Sequence, residues 1–177
     1  MDFYVGFHHP GRAYKVNRPV MISHNAIRDR VSDIKVGRWI LDSGAFTQIT
    51  NHGAFQVSSA KYAADIDRWA QCGDLEAAVS QDYMCEPDVR DICDATIKEQ
   101  QRKTVDRYDQ ILSALDADVH LMPVLQGWSA NDYAEHVQTY AERLTERMWV
   151  GVGSVCKRNS TPADVEMVLS AIKEKRP

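Results

Sequence analysis

The sequence predicts an α/β fold of the TIM-type (βα) barrel class, an incomplete barrel of about six βα units whose closing C-terminal strands are missing. Three observations predict it. Short apolar runs that end in small or polar residues recur along the 177 residues. Amphipathic stretches of helical period fill the gaps between the later runs. The phosphate loop of an open doubly wound sheet is missing, because Phe7-His8-His9-Pro10-Gly11-Arg12 after the first run is not GxGxxG and no GxxxxGKS or GxxxxGKT occurs. A barrel takes about 200 to 250 residues. The chain therefore reads as a single domain over 1–177, either C-terminally truncated or completed by a partner.

Strands are expected at Phe3–Phe7, Val20–Ser23, Trp39–Asp42, Leu75–Gln81, Leu121–Gln126 and Trp149–Ser154. Between the third and fourth, Tyr62, Ala63, Ile66, Trp69 and Ala70 repeat at helical spacing, and Gly73 supplies the stop. The segment from Asp88 to Leu115 carries Ile97, Val105, Tyr108, Leu112 and Leu115 on a helical period with room for a break. Ser129 and Asp132 form a short-armed capping box ahead of a stripe of Tyr133, Val137, Tyr140, Ala141 and Leu144. Thr161-Pro162 opens a last helix whose buried face is Val165, Val168, Leu169 and Ile172.

Composition excludes several classes. Lys and Arg number 21 against 25 Asp and Glu, a net charge of −4, so a globally basic nucleic-acid coat is ruled out while a local basic rim is not. No apolar run reaches the roughly 20 residues of a membrane span, and Met1-Asp2-Phe3-Tyr4 lacks a basic signal region, so a cytoplasmic protein is expected. Cys72, Cys85, Cys93 and Cys156 form no CxxC pair and read as reduced thiols. Adjacent His8 and His9 would point apart on a strand, and His24, His52, His120 and His136 are scattered in surface or capping roles, so no metal is expected. No cofactor is indicated.

Ligands of a parallel βα sheet sit at the carboxyl ends of its strands. Four strand ends carry polar clusters: Asp42-Ser43-Gly44-Ala45-Phe46, Gln81-Asp82-Tyr83-Met84-Cys85-Glu86, Gln126-Gly127-Trp128 and Gly151-Val152-Gly153-Ser154. On a barrel rim, two carboxylates, a carboxamide and a Gly-rich backbone would converge on one small molecule. A guanine-like ring suits them, since carboxylates accept from its ring N–H and exocyclic amine while an amide or backbone N–H donates to its carbonyl. Each has a plainer role as well. Asp42 before Ser-Gly fits a turn cap, Gln126-Gly127 a strand stop, Gly151 and Gly153 a close strand approach, Cys85 a buried filler and Trp128 a packing residue. Arg12, Lys15, Arg18, Arg28 and Arg30 make the N-terminal part locally basic, and Lys157-Arg158 follows the sixth strand; these could grip a phosphate backbone or be solvated faces.

Asp42-Ser43-Gly44-Ala45-Phe46 resembles the DSGGFQ element of tRNA-guanine transglycosylases, Gln81-Asp82 their base-binding aspartate strand and Leu125-Gln126-Gly127 their VQGG strand. The ordered strings FYVGFHHP, LDSGAFT, QDYMCEP, PVLQGW and GVGSVCKR, spanning Phe3 to Arg158, are more similar to a phage and bacterial branch, the deazapurine DNA-modification transglycosylases related to queuine tRNA-ribosyltransferases. The resemblance implies a TIM-type barrel that exchanges guanine in nucleic acid for a 7-deazaguanine such as preQ0. It implies Asp42 as acid/base or binding carboxylate, and Asp82 and Gln126 as ligands of the heterocycle. Gly151 would be a backbone N–H donor, with Ser43, Gly44 and Gly127 beside them in the substrate-binding set. Val152 stands where those enzymes have the second Gly of a pair. Their nucleophilic Asp, in a Ser-Ala-Asp-Ser-like context beyond a sixth strand, has no counterpart, nor does their Cys-rich zinc site. The polymer is then DNA, with tRNA the alternative. A non-catalytic base-binding subunit that completes its barrel as a homodimer or with a partner chain is the reading from another class.

Overall fold

The computed structural model describes residues 2–155 and 161–176. They fall into two compact units, the first from Met1–Gly44, Val57–Gln81 and Tyr108–Met122, the second from Ala45–Gln56, Asp82–Arg107 and Pro123–Pro177.

The first unit is built on a five-stranded parallel sheet of β1 (Val5–Gly6), β2 (Val20–Ser23), β3 (Arg38–Asp42), β4 (Asp74–Val79) and β5 (His120–Met122). Every neighbouring pair is parallel, and spatial order equals chain order. The strands thus step one way across the sheet, without the reversal of strand order that a doubly wound sheet uses for its ligand crevice. The β2–β3 register pairs Ile22 with Leu41 and Ser23 with Asp42, which places both polar residues at the same carboxyl edge. Strands buried by crossover helices need near-continuous apolar runs, and Val20, Ile22, Ile40, Leu41, Ala77, Ala78 and Leu121 are all buried.

Helix α2 (Ser59–Trp69) follows the expected stripe: Tyr62, Ala63, Ile66 and Trp69 are buried, and the Ser58 hydroxyl caps its N-terminus by accepting from the Lys61 amide. The Tyr62 hydroxyl donates to Val79 O at 2.8 Å, and the buried Trp39 indole donates to Cys72 O at 2.7 Å. The stop at Gly73 has two causes. Its φ is +65°, and a Cβ there would lie 2.4 Å from Val36 O and 2.6 Å from Gly37 O.

In the second unit, β6 (Val124–Leu125) pairs in parallel with β7 (Gly151–Val152). Helix α1 (Ala45–His52) and the segment around α3 (Pro87–Cys93) supply a core of Ala45, Ile49, Phe55, Tyr83, Met84 and Val89. Asp94 at φ 44° ends α3 in the left-handed region, which is the expected break before α4 (Ile97–Ala114). Thr96 and Glu99 open α4 with reciprocal bonds: the Thr96 amide donates to Glu99 Oε2 at 2.8 Å and the Glu99 amide to Thr96 Oγ1 at 3.3 Å. Helix α5 (Ala130–Tyr140) carries the Ser129–Asp132 capping box and packs with α6 (Pro162–Lys175).

Several expected bounds shift. β1 is two residues long and Phe3 is 78% exposed, so the Phe3–Phe7 strand is shorter than its apolar run. The run Leu121–Gln126 is two strands in two sheets, because Pro123 between them has no N–H to give a ladder. Leu112 and Leu169 are 50% and 49% exposed, and the buried face of α4 turns instead through Gln100, Gln101, Thr104, Val105, Tyr108 and Ile111. Apolar periodicity misplaced that face since three of its members are polar. α5 ends at Tyr140, leaving Ala141 outside it at φ 49°. Among the described residues no helix is long and apolar enough to cross a membrane.

Replacing Gly73 by alanine puts a Cβ against backbone oxygens that cannot swing aside, in a conformation that L side chains avoid. Gly73→Ala is expected to lower unfolding stability by about 1–3 kcal/mol, read as a lower denaturation midpoint at unchanged slope.

Candidate functional site

The carboxyl edge of the first unit is organised around Asp42. Its residue follows from the parallel register: β3 delivers it opposite Ser23, and the Ser23 hydroxyl bonds to its carboxylate. The Gly44 amide donates to Asp42 Oδ2 at 3.1 Å, an Asx-type turn in which Gly44 takes φ +71°. Asn25 Nδ2 donates to Gly44 O at 2.9 Å, and a Cβ on Gly44 would sit 2.3 Å from that nitrogen. Ser43 is buried beside them. The turn-capping role is therefore real, and it occupies only part of the carboxylate. Part of Asp42 remains solvent-exposed, yet burial around its carboxyl raises its pKa, against the lowering effects of the Gly44 amide, Ser23 and His24.

His24, expected in a surface or capping role, is buried at the end of β2. Its Nε2 lies 3.0 Å from Asp65 Oδ2 on α2, and its ring meets Tyr62 edge-on at 4.9 Å. Lys61 Nζ holds the other Asp65 oxygen. Burial lowers the His24 pKa despite that carboxylate. The sequence signal was available: Asp65 precedes Ile66 on the buried stripe of α2, where a carboxylate needs a donor facing it.

The second unit brings Asp82, Gln126 and Ser154 together, all buried. Gln126 Nε2 donates to Asp82 Oδ2 in a short hydrogen bond, and Ser154 Oγ donates to Gln126 Oε1 at 3.0 Å. These two bonds assign the amide orientation: nitrogen to the carboxylate, oxygen to the hydroxyl. Ser154 sits at φ 63°, a left-handed conformation costly for a side chain with a Cβ and found where neighbours over-determine it. A Cβ on Gly153 would fall 2.2 Å from Gln126 Nε2, so only glycine lets the amide lie where it does.

The backbone of Gln126 is held equally firmly. Its N–H donates to His136 Nδ1 at 2.8 Å, and its carbonyl accepts from Gln101 Nε2 at 2.8 Å, which also reaches Asp132 O at 2.8 Å. Accepting at Nδ1 requires neutral imidazole with its proton on Nε2, and burial pushes the His136 pKa down to about 4. The Tyr133 hydroxyl donates to Gly153 O at 2.7 Å. Gly127 packs against α5, where a Cβ would meet Asp132 Cβ at 2.8 Å and Tyr133 N at 2.9 Å. The Gly151 N–H donates to Pro123 O at 2.9 Å within the strand pairing. Burial pushes the Cys85 thiol up to about 12, with Glu86, Asp132 and Asp82 adding to the rise, so this cysteine is an inert filler rather than a nucleophile.

Of the residues singled out in the sequence, Asp82, Gln126 and Gly127 share the second unit with Gly151, while Asp42, Ser43 and Gly44 form the turn in the first. Lys157 and Arg158 lie outside the described residues, as does Cys156. Sequence reasoning missed Ser154, Gln101 and His136 as supports of Gln126. His136 lies three residues after Tyr133 and one before Val137, on the stripe already identified as buried.

Two outcomes follow from this geometry. Gly153→Ala forces the Gln126 amide away from Asp82 and Ser154, and is expected to lower unfolding stability by about 1–3 kcal/mol, read as a lower denaturation midpoint. His136 stays neutral when folded but takes a proton near its ordinary pKa when unfolded. Stability is therefore full above about pH 6.5 and falls as pH drops towards 4, by on the order of 3 kcal/mol for this group. His136→Asn should flatten denaturation midpoints across that window; an unchanged slope would remove the assignment.

The model of the protein family described as DpdA: DeoxyPurine in DNA protein A matches residues 1–177. No match is found among curated proteins. A match over the whole length, on a chain whose buried carboxylate and carboxamide are bonded to each other, ties it to purine modification of DNA, and the chain belongs to the DpdA family.

Proposed function

We propose that the chain is a transglycosylase that exchanges guanine in DNA for a 7-deazaguanine such as preQ0, in the manner of the tRNA-guanine transglycosylases. The observation that carries the reading is the buried Asp82–Gln126 pair in a DpdA-family chain. A carboxylate only accepts and an amide both donates and accepts, so the pair can serve one edge of a guanine-type ring. Asp82 takes the ring N–H and exocyclic amine, while the Gln126 amino group turns from Asp82 to the ring carbonyl. Ser154 and His136 keep the rest of Gln126 in place during that turn.

The exchange breaks the bond from the deoxyribose C1′ to guanine N9 and forms the equivalent bond to the incoming deazaguanine, with no net redox change. Asp42 is the proposed acid/base group. Its raised pKa favours the protonated form that can hand a proton to the departing base and recover one from the entering base. Ser43 and Gly44 shape its turn, Gly127 and Gly151 the strand ends near Gln126, and Lys157 and Arg158 are proposed DNA contacts. The one-way strand order of the first unit supports a TIM-type barrel within a single domain.

The test is incorporation of labelled guanine or preQ0 into DNA and into tRNA by the full chain, with Asp82→Asn alongside. Label entering DNA, and lost by on the order of 100-fold or more in the variant, is expected. Label entering tRNA instead reassigns the polymer. No exchange, with calorimetric base binding that Asp82→Asn abolishes, makes the chain a base-binding subunit. Base affinity unchanged in Asp82→Asn overturns the pocket.

A further inference from the structure

Three consecutive polar residues stand where β2 ends, and two of them hold the Asp42 turn. Ser23 is the parallel-register partner of Asp42, and its hydroxyl bonds to the Asp42 carboxylate. Asn25 Nδ2 donates to Gly44 O at 2.9 Å, on the same turn whose Gly44 amide donates to Asp42 Oδ2 at 3.1 Å. His24, between them in the chain, is bonded to α2 instead: its Nε2 lies 3.0 Å from Asp65 Oδ2. The His24 carbonyl accepts from the Ile27 and Arg28 amides at 3.0 and 2.8 Å, closing the 3-10 turn His24–Ala26. Backbone and side chain of His24 are therefore both fixed, and each chain neighbour reaches the carboxylate or its turn.

Helix α2 is attached to the sheet without this bond. Tyr62, Ala63, Ile66 and Trp69 bury its apolar stripe, and the Tyr62 hydroxyl donates to Val79 O on β4. Burying a carboxylate costs desolvation that an apolar residue at position 65 would avoid, so the His24–Asp65 pair is poorly explained as a stability device. It is well suited to fixing a position. Burial, with Arg28 on its own turn and Lys61 on α2 acting in the same sense against the pull of Asp65, keeps the imidazole neutral. Nε2 then carries the proton and donates to Asp65, whose other oxygen holds Lys61 Nζ. Apolar faces can slide past each other, whereas a buried hydrogen bond between two elements sets one register.

We infer that His24, anchored to Asp65, is a positioning residue for Asp42 and acts through its chain neighbours Ser23 and Asn25. The role rests on the reading of Asp42 as the acid/base group. A group that hands a proton to a departing base must be held to a fraction of an ångström, and a turn cap alone leaves the segment facing that turn unanchored. The imidazole supplies the anchor. Without its bond to α2 the turn at His24–Ala26 is released, Ser23 and Asn25 move with it, and the carboxylate loses its direction.

Two measurements on the full chain test it: incorporation of labelled preQ0 into guanine-containing DNA, and hydrogen exchange of the Gly44 amide, which reports its bond to Asp42. The double variant His24→Leu/Asp65→Leu removes both partners and leaves no buried charge unpaired, so the fold is kept. It is expected to lower kcat by on the order of 10- to 100-fold at unchanged KM for preQ0, and to speed Gly44 exchange by on the order of tenfold while β4 amides keep their protection. His24→Gln, whose Nε2 can donate to Asp65 as the imidazole does, should recover most of both. Asn25→Ala, which touches no buried carboxylate, should move both readouts in the direction of the double variant. Wild-type Gly44 exchange in the double variant, or an unchanged kcat, overturns the inference. Faster exchange spread equally over β4 makes the pair a plain stability contact and overturns it too. A wild-type chain that exchanges no base overturns the transglycosylase reading, and Gly44 exchange then decides the coupling by itself.

Discussion

A carboxylate taken out of water is tolerated only where donors replace the water, and the second unit is arranged to meet that demand at Asp82. One donor is the side chain of Gln126, so what locates Gln126 bears directly on this carboxylate. The strand pairing of Val124–Leu125 with Gly151–Val152 ends one residue short of Gln126. Its N–H, past the ladder, finds His136, and its carbonyl finds Gln101. Ser154 then accepts a left-handed backbone to reach the amide oxygen, and Gly153 forgoes a side chain to leave room. Four separate segments thus converge on a single residue, two on its carboxamide and two on its backbone. A group with both donor and acceptor faces is thereby fixed beside a carboxylate.

Asp42 is held by a different economy. Its backbone turn needs Gly44 in a positive φ, and the same turn uses one carboxylate oxygen as its cap. The capping bond also fixes the orientation of the remaining oxygen. Burial and the Ser23 hydroxyl act on the proton affinity in opposite senses, and burial prevails. The neighbouring His24–Asp65 contact has the same logic as the second unit's site: a buried acid on α2 is answered by the imidazole at the end of β2.

Elements with strong apolar period were legible from residues alone. β2 was placed to the residue, α2 and α5 were found with their buried faces, and the Ser129 capping box formed with aspartate in the short arm. What escaped was polar burial. Gln100, Gln101 and Thr104 are hidden on α4, and His24 and His136 are hidden beside sheet ends, although each reads as a surface residue. Hydropathy cannot foresee such positions, since their burial depends on hydrogen-bond partners that are distant in the chain: 25 residues for Gln101 with Gln126 and 41 for His24 with Asp65. The division of the run at Leu121–Gln126 was readable in principle, because Pro123 withholds a ladder donor whatever surrounds it.

The ordered strings from Phe3 to Arg158, the parallel βα alternation and the candidate carboxylates were all properties of the sequence by itself, for they depend on local pattern and residue identity. Tertiary structure alone decided which atoms meet. It chose the amide orientation of Gln126, the neutral state of His136 and the glycine-only approach at Gly153. The reason is physical: pattern sets which face of an element is buried, whereas hydrogen bonds and ion pairs depend on separations of a few tenths of an ångström that only the packed chain determines.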